Sequence, residues 1–115
     1  MLDGDQLEVE SLAIADGWVL RPRGEIDLSH SPSLRKHLSA AQQSESARLV
    51  IDLEEVSYMD SSGVATLLEA LQVARKRRQK LILCALQERV KAIFEIARLD
   101  MVFTIVADRD EALTK

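Results

Sequence analysis

Asp60-Ser61-Ser62-Gly63 sets a carboxylate beside two hydroxyls where an apolar run ends and a helical pattern begins. Two chemistries use such a step. A serine can attack as a nucleophile when a neighbouring base takes its proton, or it can receive a phosphate that the unpaired amides of a helix N-terminus stabilise. Asp, Ser and Gly are also the usual residues of a helix start, because short side-chain oxygens cap amides there. The tetrapeptide therefore draws its meaning from its surroundings.

The nucleophile reading lacks partners. Ser62-Gly63 follows Asp60-Ser61 rather than the Gly-x of a nucleophile elbow. His30 and His37 lie on roughly one side of a helical segment, yet no Asp, Glu or Cys completes a metal-ligand set around them, so they read as solvated or helix-cap residues. The chain has 4 glycines and neither Gly-x-Gly-x-x-Gly nor Gly-x-x-x-x-Gly-Lys, which removes the Gly-rich phosphate loops and leaves no cofactor to assign. A small enzyme built on Asp27, Asp60 and Ser61 would still need a general base of suitable pKa. The sequence reads as a binding protein rather than an enzyme.

With 115 residues the chain supports one domain, 1–115, with an ordered core over about 7–114. No apolar run reaches the length of a membrane span, and Met1 to Asp16 is acidic without a signal-peptide core, so a cytoplasmic protein without direct membrane insertion is expected. Cys84 is the single cysteine, suits a reducing compartment, and reads as a small buried hydrophobe. A net charge of −4 argues against direct nucleic-acid binding. The cluster Arg75-Lys76-Arg77-Arg78 with Lys80 falls at a predicted helix end, where cations complement the macrodipole, and no aromatic residues interleave with it.

Strand and helix signals alternate along the whole chain. Leu7–Ile14 and the run from Trp18 flank an Asp16-Gly17 turn signal and predict an antiparallel hairpin, with Pro22 limiting the second strand and Gly24 marking a change of direction. Ser31-Pro32 reads as an N-cap followed by a first-turn proline, opening a helix to about Gln43 with Leu34, Leu38 and Ala41 along one side. Arg48–Leu53 is a central strand, Val56–Asp60 leads to the serine step, and Val64, Leu67, Leu68 and Leu71 mark the buried face of a second helix. Leu81–Cys84 is another strand. A third helix over about Gln87–Arg98 carries Val90, Ile93, Phe94 and Ala97, followed by a strand over Val102–Val106 and a terminal helical turn over Arg109–Thr114. Repeated strand–helix–strand units favour parallel pairing with right-handed crossovers, and hence an α/β fold with helices mainly on one face.

Four blocks in order, Gly24-Glu25-Ile26-Asp27, Val50-Ile51-Asp52-Leu53, Val56-Ser57-Tyr58-Met59-Asp60-Ser61-Ser62-Gly63 and Ala92-Ile93-Phe94-Glu95-Ile96, resemble the STAS domain of bacterial anti-sigma factor antagonists, over about Leu7 to Thr114. The resemblance implies a small mixed, mostly parallel β-sheet with helices packed mainly on one face. It also implies a partner-switching module that binds an anti-sigma factor with serine/threonine kinase activity and so releases a sigma factor. The kinase inactivates such an antagonist by phosphorylating it, and a phosphatase restores it. By position, Ser61 is the implied acceptor and Ser62 the second candidate, with Asp27, Asp60, Gly63 and Val64 as the surrounding and partner-binding residues. The alternative within the same family is a non-switching module, such as the cytoplasmic subunit of a lipid-transport ABC complex or a signalling scaffold. The chain departs from the antagonist pattern in having Val64-Ala65 where many members have Leu-Gly, Arg77-Arg78-Gln79 in place of a glycine pair, and Arg98 in place of a small residue.

Overall fold

The computed structural model describes residues 7–115; the first part of the acidic stretch Met1–Asp16 lies outside the described residues. Strands β1 (Glu8–Ile14) and β2 (Gly17–Ile26) form the expected antiparallel hairpin, with Leu12 opposite Val19 and Ile14 opposite Gly17. Helix α1 (Ser31–Gln43) follows, then β3 (Arg48–Asp52), β4 (Val56–Met59), α2 (Ser61–Arg77), β5 (Lys80–Cys84), α3 (Glu88–Ile96), a 3-10 turn (Leu99–Met101), β6 (Thr104–Val106) and α4 (Arg109–Leu113). The sheet order is β1-β2-β3-β5-β6, with β4 attached to β2, and every pairing except β1–β2 is parallel.

β2 is the element on which the site depends, because its two halves have different neighbours. Residues 17–20 pair with β3 and residues 24–26 with β4. Pro22 was expected to end the strand, and instead sits buried inside it. Its missing N–H is harmless there, since residues 21–23 face neither β3 nor β4 while Pro22 still lies opposite Val9. Gly24 makes the switch of partner through a bulge at a φ of 105°, with its amide donating to the Glu55 carbonyl at 2.9 Å, so the predicted change of direction is a bulge within one strand. The far end of β2 then runs beside β4, Ile26 opposite Met59, and the chain leaves both strands on the same side.

Alternation along the central strands separates two cores. Leu49, Ile51, Leu81 and Leu83 face α1, α2 and α3, contributing with Leu34, Leu38, Leu67 and Phe94 to the larger one. Val50, Ile82 and Cys84 face the opposite way, where α4 covers them with Ala112. Cys84 is fully buried, and burial pushes its thiol up to about 12, which keeps it inert as a hydrophobe. Arg109 on α4 reaches Asp52 with Nε at 3.1 Å and Nη2 at 3.0 Å, so the short helix is tied to the buried carboxylate at the end of β3.

The element boundaries correct the sequence reading in three places. Ser31 is buried within α1 rather than capping it, and the N-cap position falls to His30, which makes no side-chain cap; Asp27 instead gathers the preceding turn. α3 ends at Ile96 rather than Arg98, leaving Ala97 exposed outside the apolar stripe. β6 begins at Thr104 rather than Val102. Arg98 lies at a φ of 61° and Arg78, which closes α2, at 58°. Both are left-handed conformations that cost a residue with a Cβ on the order of 1 kcal/mol and glycine nothing. Arg78 is exposed, so Arg78→Gly should raise the unfolding free energy by about 0.5–1 kcal/mol after allowance for the freer unfolded chain, measurable by urea denaturation.

Candidate functional site

Two chain reversals come together because β2 and β4 are neighbours. The amide of Asp60 donates to the Ile26 carbonyl at 3.1 Å, which fixes the β4–α2 junction against the β2–α1 turn. On the α2 side, Asp60 is an N-cap with extended backbone. Its Oδ1 accepts the Ser62 amide at 2.9 Å, the Gly63 amide at 3.3 Å and the Ser62 hydroxyl at 2.6 Å. The backbone of Leu28, in the facing turn, adds a smaller influence in the same direction on this carboxyl. The Ser62 hydroxyl is the largest influence on this carboxyl and, with the amides, holds its pKa below the usual carboxylate range against some desolvation.

Asp27 performs the same task in the other turn. Its Oδ1 accepts the Ser29 hydroxyl at 2.8 Å and the amides of Ser29 and His30 at 3.1 and 3.2 Å. The Ser29 hydroxyl contributes most to lowering its pKa, followed by the adjoining His30 ring, whose Nδ1 stands 3.0 Å from Oδ1 without meeting hydrogen-bond geometry, a contact that is ionic only when the ring is protonated. His37 lies elsewhere, its Nδ1 donating to the Ser33 carbonyl at 2.9 Å. The two histidines are therefore held by separate local partners.

The two serines differ sharply. Ser61 occupies the first position of α2 and is exposed. Ser62 is half-buried, gives its hydroxyl to Asp60, and accepts the Thr66 hydroxyl at its carbonyl at 2.8 Å. The expectation of a set of unpaired amides at this helix start needs correction, because Asp60 already takes those of Ser62 and Gly63. Gly63 is buried and shapes the site from beneath. A Cβ there would stand 2.6 Å from Cγ of Met59 and 2.8 Å from Cγ2 of Ile26. Val64 is half-buried and packs on the larger core. Sequence reading overlooked Leu28, which is 75% exposed in the turn between β2 and α1. The available signal was an apolar residue inside the otherwise polar Asp27-Leu28-Ser29-His30 turn.

Removing the cap isolates its energetics. Asp60→Ala should cost about 1 kcal/mol at neutral pH, within the range measured for N-cap replacements. A carboxyl whose folded pKa is depressed stabilises the fold above its unfolded pKa and loses that contribution as pH falls through the folded value. The gap between the native chain and Asp60→Ala should accordingly narrow as pH drops below about 4, which paired urea titrations at neutral and acidic pH would measure.

What these elements define is a small α/β module presenting one free serine hydroxyl on a rigid helix start, between two turns each locked by an aspartate. The chain belongs to the STAS domain family, which it matches over residues 9–112. It is 39% identical over 82 residues to the anti-sigma-B factor antagonist of Listeria monocytogenes, covering 71% of this chain and 72% of that one. An anti-sigma factor antagonist from Mycobacterium paratuberculosis superposes with a TM-score of 0.87 at 24% identity, over 99% of this chain and 97% of the other. The phosphorylated form of the Bacillus cell fate determinant SpoIIAA superposes with a TM-score of 0.70 at 23% identity, covering 94% and 96%. The mixed, mostly parallel sheet with three long helices on one face is the fold expected from the sequence.

Proposed function

We propose that this protein is an anti-sigma factor antagonist: a binding module, not an enzyme, that engages an anti-sigma factor in the cytoplasm and is switched off by phosphorylation of Ser61. The similarity to the Listeria antagonist over most of both chains supports the role. No helix of the described residues is long and apolar enough to cross a membrane. The partner contemplated is an anti-sigma factor with serine/threonine kinase activity, opposed by a phosphatase that restores the hydroxyl.

The observation that carries Ser61 over Ser62 is the use of each hydroxyl. Ser61 is exposed at the helix start, while the Ser62 hydroxyl is spent on Asp60 at 2.6 Å and would have to leave the cap to reach a kinase. Breaking a charge-assisted hydrogen bond of that kind costs on the order of 1.5–3 kcal/mol. In this reading the exposed Leu28 offers an apolar anchor, Asp27, Asp60 and Val64 surround the acceptor as partner-binding residues, and Gly63 keeps the helix low against the sheet.

The test is incubation with the anti-sigma kinase of the same genome and ATP, read by intact-mass and peptide mass spectrometry. One phosphate should be incorporated, retained in Ser62→Ala and absent in Ser61→Ala. Incorporation that survives Ser61→Ala would overturn the assignment of the acceptor. The absence of any incorporation would favour the non-switching alternative.

A further inference from the structure

β1 is the long open edge of the sheet. It stands first in the order β1-β2-β3-β5-β6 and has seven residues, whereas β6 at the opposite side has three, the short kind of edge that resists further pairing. Other devices that protect an edge are missing from β1. It contains no lysine, arginine or proline, and its register runs from Glu8 opposite Arg23 to Ile14 opposite Gly17 without a bulge. Glu8 and Glu10 do carry charge, but each leans toward β2, 3.7 Å from Arg23 and Arg21 respectively. Glu8, Glu10, Ser11, Leu12 and Ala13 are all exposed.

The hairpin fixes which main-chain groups face outward. Where two residues form the loop, the pair beside it exchanges both hydrogen bonds, and bonded pairs alternate with unbonded ones from there. Ile14, Leu12, Glu10 and Glu8 are thereby bonded to β2, while the amides and carbonyls of Val9, Ser11 and Ala13 point to the edge. Pro22 agrees with this alternation, because it stands opposite Val9 and has no amide to give. Leu7, next in the outward series, gives its amide to the Ser33 hydroxyl of α1 at 3.1 Å, so the open run begins at Val9.

We infer that β1 pairs antiparallel with β1 of a second copy of this chain, about a two-fold axis at Ser11, so that one sheet runs through both molecules. Ser11 is the middle residue of β1 and its main chain faces outward, so this axis pairs every residue of the strand. Ser11 meets Ser11, Val9 meets Ala13, Glu10 meets Leu12 and Glu8 meets Ile14. The pattern is self-complementary in charge and size. No glutamate faces a glutamate, which would oppose pairing; each lies instead beside an aliphatic side chain of the other copy, and Leu12 is otherwise one of the exposed large apolar residues. The edges left at the two ends of the joined sheet are the short β6 strands, so assembly stops at two. Ser61 lies at the start of α2 and takes no part, so the inference stands whether or not Ser61 is phosphorylated.

The experiment joins analytical ultracentrifugation of the full chain with residue-resolved amide exchange, both over a wide range of protein concentration. The weight-average mass should rise with concentration from 12.9 kDa toward twice that value. Over the same range exchange should slow at Val9, Ser11 and Ala13 and stay unchanged at Glu10 and Leu12, whose amides already serve β2. Ser11→Lys sets two like charges face to face at the axis and should weaken the dimer by about 5-fold or more, whereas Ser11→Thr, a residue suited to cross-strand pairing, should hold or tighten it. Ser11 is exposed, so both variants should keep the urea midpoint of the native chain at low concentration. A mass of 12.9 kDa at every concentration would overturn the proposal. So would a dimer in which the three outward amides exchange as in the monomer, or one that Ser11→Lys leaves intact. Slow exchange of those amides in a monomer would show the edge filled by the chain's own residues and would overturn it equally.

Discussion

Phosphorylation of Ser61 should weaken the complex with the anti-sigma partner by a factor of about 10² or more while leaving the unfolding free energy of the free protein within about 1 kcal/mol of its starting value. The two expectations have different physical origins. In the free protein the phosphate adds a charge of roughly −1.5 to −2 at an exposed position, where water screens it from Asp27 and Asp60 and the helix N-terminus offsets part of the repulsion. That offset is modest, because Asp60 already occupies the Ser62 and Gly63 amides. Neither term is large at the surface. In the complex the same dianion must be desolvated against a surface shaped for a hydroxyl and for the exposed Leu28 beside it, and about 2.7 kcal/mol of penalty already amounts to 10² in affinity. Calorimetric titration of the unmodified and fully phosphorylated chains into the anti-sigma factor would measure the first quantity, and urea denaturation the second. Equal affinities would remove the switch, whereas a large loss of stability would show that the phosphate acts by unfolding the helix start instead of by blocking the surface. Ser61→Asp should reproduce only part of the effect, since it supplies one negative charge.

The elements could be read from the sequence because most are locally consistent: Asp16-Gly17 between two extended runs, Asp60 before the apolar spacing of α2, and apolar alternation through β3 and β5. What escaped reading depended on neighbours remote in sequence. Pro22 signals a strand end by its own chemistry, but β2 exchanges β3 for β4 around that point and the missing donor costs nothing. Ser31-Pro32 has the composition of a cap, whereas Asp27 holds the preceding turn by its own side chain and draws Ser31 inside. Arg78 and Arg98 hide positive-φ positions that a glycine would have announced. At the site, the identity of the candidate residues was legible but their division of labour was not. Two adjacent serines look alike in sequence, and the helix geometry sends one hydroxyl to Asp60 and leaves the other exposed. Leu28 became visible as part of the same surface only once β2 and β4 had been placed side by side.

Gly63→Ala should destabilise the fold by about 1–3 kcal/mol, opposite in sign to what its place in a helix suggests. Alanine is favoured over glycine in a helix interior by about 1 kcal/mol, so in open space the substitution would stabilise α2. Here the added carbon would stand 2.6 Å from the Met59 Cγ, 2.8 Å from the Ile26 Cγ2 and 3.1 Å from the Ile26 carbonyl oxygen. Met59 and Ile26 are both buried and lie opposite each other in the β2–β4 pairing, so neither can swing into solvent to make room. Packing strain therefore outweighs propensity. The relief available is for α2 to rise off the two strands, and this would lengthen the hydrogen bonds from the Ser62 and Gly63 amides to Asp60. Gly63→Ala should consequently lower the urea midpoint and, even at temperatures where the chain stays folded, slow phosphate incorporation at Ser61 by displacing it relative to Leu28. Phe94→Ala provides the comparison: it opens a cavity in the larger core from α3 and should cost about 3–5 kcal/mol without adding an atom beneath α2. If Gly63→Ala stabilised the protein, the close packing of α2 against Ile26 and Met59 would be wrong. If it destabilised the fold but left the phosphorylation rate of the folded fraction unchanged, the seat beneath Ser61 would be structural only.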